Sequence, residues 1–126
     1  MKMRGKLAIV MSGGGMSCSY SVGVLLALVK KYKLKNPAIV IGGSGSTGTL
    51  SYYVAGQYGS IRRIWSDLMS TRKFKDFLRF WRIIDIDYVV DDIFKIQEPL
   101  NVQKIYSSRI HYLIAATNYE TGLIEY

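Results

Sequence analysis

The stretch Ala38-Ile-Val-Ile-Gly-Gly-Ser-Gly-Ser-Thr-Gly-Thr-Leu50 constrains the chain more than any other. An apolar β-branched run ends in small residues, and a helix-compatible segment follows. That order predicts strand, tight turn and helix, with Ser44 or Ser46 at the turn. A serine on such an elbow stands beyond the strand end, at a helix N-terminus. A nucleophile aimed at a carbonyl needs that position. The bland alternative is a Gly/Ser loop that only turns the chain.

A second stretch of the same kind precedes it. Leu7-Ala-Ile-Val-Met11 is a continuous apolar run of the sort buried in a parallel sheet, and Gly13, Gly14 and Gly15 follow as a turn. A helix is expected from about 16 to 32, since Val22, Leu25, Leu26 and Val29 fall at i, i+3, i+4 and i+7. Gly15, Ser19, Gly23 and Ala27 form a row of small residues that would let this helix lie close to the sheet. Lys30, Lys31, Lys33 and Lys35 suit a helix C-terminus, and Asn36-Pro37 ends the segment. Strand–helix–strand–helix implies a βαβ unit in an α/β sheet.

Beyond the elbow, Ser60 is expected to cap a helix with Ile61, Ile64, Trp65, Leu68 and Met69 as its apolar stripe. Thr71 is expected to cap another, burying Phe74, Phe77, Leu78 and Trp81. Its opposite face would carry Arg72, Lys75, Arg79 and Arg82. That basic stripe reads either as a solvated helix face or as a peripheral membrane contact, with Phe80 as an interfacial anchor. Asp87 is expected to cap a helix through Val90, Ile93 and Phe94, and Asn101 a short one with Val102, Ile105 and Tyr106. Residues 110–116 read as a strand, Thr121-Gly122 as a turn, and 123–126 as the start of another strand.

Composition bounds the function classes. The chain has 126 residues, enough for one domain or part of one, and its 49% hydrophobic content argues against disorder. Seventeen Lys/Arg against nine Asp/Glu leave a formal charge of +8, compatible with an anionic partner. No nucleic-acid motif accompanies that charge. A single cysteine, Cys18, excludes an internal disulfide, and one cysteine with one histidine excludes a His/Cys zinc cage. No metal or cofactor is called for. The apolar runs are too short for a signal peptide or a membrane span, so a cytoplasmic chain, at most peripheral to a membrane, is expected. The elbow lacks the lysine of a phosphate-binding loop, and the first glycine turn lacks the third glycine of a dinucleotide site.

In a parallel sheet the two glycine turns lie at the same edge. One offers backbone N–H donors for an oxyanion and the other offers a serine. In this combination the chain resembles the patatin-like phospholipase family of bacterial type. The resemblance rests on Leu7-Ala-Ile-Val-Met-Ser-Gly-Gly-Gly15, Val22-Gly-Val-Leu25, Ile41-Gly-Gly-Ser44 and Val54-Ala-Gly-Gln57. Ile84-Asp-Ile-Asp-Tyr88, Glu98-Pro-Leu100 and Ala116-Thr-Asn-Tyr-Glu-Thr-Gly122 continue it. It implies a three-layer α/β fold with a mostly parallel sheet, residues 1–126 being the N-terminal part of one such domain. It also implies hydrolysis of lipid acyl esters by a Ser–Asp dyad without histidine, Gly13–Gly15 forming the oxyanion hole. The one histidine, His111, reads as structural.

Three departures from the family pattern stand out. Gly15-Met-Ser-Cys18 replaces the family's Gly-x-Arg-Gly. Neither serine completes Gly-x-Ser-x-Gly: Ser44 has Gly42 before it and Gly45 after it but Ser46 at +2, while Ser46 has Gly48 at +2 but Ser44 at −2. Ser44 is favoured because it brings Val54-Ala-Gly-Gln57 into register without a gap, and Ser46 stands as the alternative. The family's Asp-Gly motif is missing, so the dyad aspartate is expected beyond residue 126. A non-catalytic relative that binds lipid surfaces is the competing reading.

Overall fold

The computed structural model describes residues 6–126, so residues 1–5 of the expected domain lie outside the described residues. Strand β1 (Ala8–Met11) leads through a 3-10 turn (Gly15–Ser17) into helix α1 (Cys18–Tyr32). Strand β2 (Ile39–Gly43) follows, then α2 (Gly45–Val54) and α3 (Tyr58–Arg63). Helix α3 runs on into a π-helical turn (Ile64–Leu68). A longer π-helix (Tyr88–Gln97), helix α4 (Val102–Tyr106), β3 (His111–Thr117) and β4 (Ile124–Glu125) complete the chain.

The sheet has the order β1-β2-β3-β4, with β1, β2 and β3 parallel and β4 antiparallel. The protein is therefore mixed α/β with a four-stranded, mostly parallel sheet and several helices. Both parallel crossovers carry helices, as the βαβ pattern requires. Asn101 caps α4 as expected, its side chain accepting the Lys104 N–H at 3.1 Å.

The core lies on one face of the sheet. Met11 and Val40 are buried there, and Ile9 and Tyr112 pack against the same cluster. On the opposite face Val10 is 69% exposed, and its register partners Ile41 and Leu113 are only partly covered. Helix α1 buries Cys18, Val22, Leu25 and Val29. The row Ser19, Gly23, Ala27 points to solvent instead of the sheet, and a Cβ on Gly23 would meet nothing within 4 Å. The apolar stripe, worth more on burial than the small residues, sets the rotation of the helix.

Helix α2 is the most enclosed element, with Leu50, Tyr52 and Tyr53 fully buried. A Cβ on Gly42 would stand 2.5 Å from Leu50 Cδ1, so α2 lies directly on β2 at that glycine. Tyr112 Oη donates to the Thr47 carbonyl at 2.7 Å and ties β3 to the same helix.

The segment 71–84 is not a helix. Phe74 is buried, but Phe77, Leu78 and Trp81 are 69%, 70% and 86% exposed. The chain doubles back: Lys75 bridges Ile84, Asp76 N–H donates to the Ile83 carbonyl, and Asp85 N–H donates to the Phe74 carbonyl. Arg72, Lys75, Arg79 and Arg82 therefore do not share a helical face. Arg79 is a tie across the loop, paired with Asp85 at 3.1 Å and donating to the Arg72 and Lys73 carbonyls. Arg82 pairs with Asp85 and Asp87. A helix here would need a partner surface for Phe77, Leu78 and Trp81, which stay exposed, and the ion-paired turn closes without one.

Two caps also differ from expectation. Ser60 lies inside α3, whose N-cap is Gln57. Asp87 makes no capping bond, and Asp85 instead accepts the Tyr88 N–H at 3.1 Å. In the π-helix that follows, i→i+5 geometry stacks Tyr88 over Ile93 and Val89 over Phe94, which leaves Val90 42% exposed.

The Tyr88 N–H bond, helped by Arg79 and Arg82, holds the Asp85 carboxyl below its ordinary value. A lowered folded value stabilises the loop above the ordinary carboxylate pKa of ~4 and is lost as pH falls through the folded value. The Tyr88 amide resonance is expected to titrate with a midpoint below ~4 and to lose that step in Asp85→Asn. A midpoint at or above the ordinary value would refute the assignment of Asp85 as the cap.

Candidate active site

The register Met11↔Gly42 puts the turns after β1 and β2 side by side at one edge of the sheet. They touch: a Cβ on Gly13 would lie 2.8 Å from Ser44 Cβ and 3.2 Å from the Gly43 carbonyl. A Cβ on Gly45 would lie 3.3 Å from both Cys18 Sγ and the Gly15 carbonyl. The sequence spends glycine where the two turns approach each other.

Ser44 sits between β2 and α2 with φ 54° and ψ −131° and is exposed. Positive φ is unfavourable for a residue with a β-carbon, and an outlier of this kind costs on the order of 1–3 kcal/mol. Ser46 is its opposite: helical, 0% exposed and fully engaged. Its Oγ accepts the Gly43 N–H at 3.1 Å and lies 3.0 Å from the Met11 carbonyl and 2.9 Å from the Gly43 carbonyl, which share its one proton. The geometry separates the two serines. Ser44 is presented, and Ser46 ties the ends of β1 and β2 together.

The first glycine turn keeps its donors free. Gly14 has φ 141° and Gly15 φ 56°, conformations that favour glycine. Among the described residues no acceptor takes the Gly13 or Gly14 N–H. Gly45 begins α2, so its N–H has no acceptor within the helix. The Gly-Met-Ser-Cys departure is absorbed without strain. Ser17 Oγ donates to the Gly14 carbonyl at 2.9 Å, and Cys18 starts α1 with helical dihedrals. Cys18 is 1% exposed and burial raises its thiol pKa, so it is a core residue and no nucleophile.

A cavity of about 380 Å³ opens beside Ser44. Ser44, Gly45, Gly48, Thr49 and Tyr52 of α2 form one wall, and the two π-helical segments supply Ile64, Trp65, Val89, Val90 and Phe94. Met16, Ile61, Met69, Phe74, Ile84 and Ile86 complete an apolar lining. Phe94 is seated on Gly48, where a Cβ would come within 2.7 Å of its ring, and meets Tyr52 edge-on at 5.3 Å. Trp65 Nε1 donates to Thr49 Oγ1 at 2.8 Å and so stays on the wall. Burial, then the Glu98 charge, pushes the Tyr52 hydroxyl up to about 12, so it remains a neutral donor.

Among the described residues no carboxylate or imidazole lines this cavity. His111 is exposed at the start of β3, paired with Ile39 at the far end of β2 from Ser44. Five residue steps along an extended chain put that end roughly 16 Å away. Among the described residues no group of three His, Cys, Asp or Glu could hold a metal ion. None has a helix long and apolar enough to cross a membrane. The stripe residues Arg72, Lys75, Arg79 and Arg82 contribute nothing to the cavity wall. The cavity was the feature that sequence reading missed. Its signal was the pair Gly48 and Phe94, which only tertiary structure brings together.

Compared with protein-family models, curated proteins and solved structures, the chain matches none.

The two serines make opposite predictions for stability. Ser44→Gly relieves the backbone and is expected to stabilise the fold by about 1 kcal/mol. Ser46→Ala removes the partner of buried backbone groups and is expected to cost about 1–3 kcal/mol. Urea denaturation of both variants decides the matter, and equal effects would contradict the separation drawn here.

Proposed function

We propose that the chain carries the nucleophile half of a patatin-like lipid acyl hydrolase. The observation that carries this reading is the strained, exposed Ser44 at the mouth of an apolar cavity. The free N–H groups of the adjacent glycine turn support it. The resemblance supplies the family, and with it a three-layer domain whose further layer would cover the sheet face that carries Val10.

In this reading an acyl chain fills the cavity and its ester carbonyl lies over Ser44. Ser44 Oγ attacks the carbonyl carbon as its proton passes to a carboxylate base. The N–H groups of Gly45 and of the turn at Gly13, Gly14 and Gly15 stabilise the resulting oxyanion. Collapse expels the alcohol, which takes the proton back from the carboxylic acid, and leaves an acyl-serine; water, giving its proton to the same carboxylate, then cleaves it and frees the Ser44 hydroxyl and the fatty acid. The base is what these residues do not supply, so the proposal requires a carboxylate from outside residues 1–126.

The absent carboxylate favours one second reading, a relative that holds an acyl chain without cleaving it. Labelling of the full-length protein by an alkyl fluorophosphonate separates the two. Hydrolase function predicts labelling that falls to background in Ser44→Ala and persists in Ser46→Ala. Undiminished labelling of Ser44→Ala removes Ser44 from the role. Alkyl-chain binding without any labelling selects the non-catalytic reading. The 126-residue chain alone is expected to show no ester turnover, and turnover abolished by Ser44→Ala would overturn the need for an outside carboxylate.

A further inference from the structure

The loop between Phe74 and Asp85 is closed at its base and apolar at its tip. Its stems are held by the Lys75–Ile84 bridge and two backbone bonds, of 3.0 Å from Asp76 N–H and 2.9 Å from Asp85 N–H. Arg79 ties the interior by bonding Asp85 and the Arg72 and Lys73 carbonyls. The fold thus orders a turn that leaves Phe80 and Trp81 each 86% exposed, with Phe77 and Leu78 beside them. Large side chains clustered in water on an ordered turn mark an interaction surface.

Charge identifies the partner. Between residues 71 and 87 there are five basic residues and three acidic ones. The acidic ones pair with Arg79 and Arg82, and with Arg72 only at 4.0 Å. Lys73 is exposed, and Lys75 lies 5.7 Å from the Phe77 ring centre. An aromatic tip collared by cations matches the interface of an anionic bilayer. There Trp and Phe enter the headgroup boundary and Lys and Arg are drawn to the anionic headgroups. The stems connect this surface to the cavity, since Phe74, Ile84 and Ile86 form part of its wall.

We propose that the 77–81 turn is a membrane-docking tip that inserts into anionic phospholipid surfaces and holds the cavity against them. The proposal is independent of whether Ser44 is a nucleophile, because a non-catalytic acyl-binding protein would use the same tip.

The test is sedimentation of the chain with vesicles of phosphatidylcholine alone and of phosphatidylcholine with phosphatidylglycerol in equal parts. Binding is expected only to the anionic vesicles, weakened but not abolished by high salt. The double variant Phe80→Ser/Trp81→Ser is expected to bind about tenfold or more weakly, since two large aromatics no longer leave water. Both side chains are exposed, so the variant keeps the fold, and an unchanged circular dichroism spectrum verifies this. Lipids brominated near the headgroup are expected to quench the chain's fluorescence far more than that of Trp81→Phe, whose remaining tryptophan, Trp65, lies on the cavity wall. Equal binding to both vesicle types, binding unchanged in the double variant, or quenching undiminished in Trp81→Phe would overturn the proposal. So would concentration-dependent self-association abolished by the same variant, which would assign the tip to a second copy of this chain.

Discussion

The Ser46 hydroxyl is the contact on which the elbow depends. It is buried and reaches the ends of two adjacent strands, at the Met11 carbonyl and at the Gly43 N–H and carbonyl. Those groups lie where β1 and β2 stop pairing, and unpartnered buried backbone would be costly there. By satisfying them from the first turn of α2, Ser46 fixes where the helix starts relative to the sheet. The intervening residue, Ser44, must then span the gap in a conformation that favours glycine. The strain at one serine follows from the satisfaction of the other.

The local alternation of strand and helix was legible in the sequence, because apolar runs and the glycines that end them act over a few residues. β1, α1, β2 and α2 fall where hydrophobic run and breaker place them. Reading failed where tertiary pairing overrides period. Residues 74, 77, 78 and 81 have helical spacing, yet helical spacing stabilises a helix only if a partner surface buries it. Arg79 and Asp85 have a better arrangement, a closed loop, and no local pattern announces it. The same holds for Asp85 as the cap in place of Asp87, and for Val90. Its exposure follows from π-helical geometry that a 3.6-residue period does not describe.

Those π-helical segments bear directly on the cavity. Both Ile64 and Met69, joined by an i→i+5 bond from Met69 N–H to the Ile64 carbonyl, line it. Across from them the second π-helix contributes Val89 and Phe94, again five apart. Such helices are rare and often found at functional sites. Gly48 lets Phe94 approach α2 closely, so the cavity is bounded by a ring seated on bare backbone. Spacing favours Ser44 over Ser46, and burial and bonding give the two serines different work. The sequence holds no Asp-Gly motif, and among the described residues no carboxylate comes to the cavity wall.

The bland reading of residues 38–50, a turn and nothing more, can now be weighed in energy. Glycine at position 44 would make the same turn without strain, while serine carries on the order of 1–3 kcal/mol. Nothing in the fold repays that locally, since no hydrogen bond from Ser44 Oγ accompanies the strain among the described residues. The hydroxyl is held at that cost, exposed beside the N–H groups of the first glycine turn and the apolar cavity, and the proposed acyl hydrolase would use it there. In the proposed function that hydroxyl is the nucleophile, and the same turn with glycine at 44 would leave the cavity mouth without one.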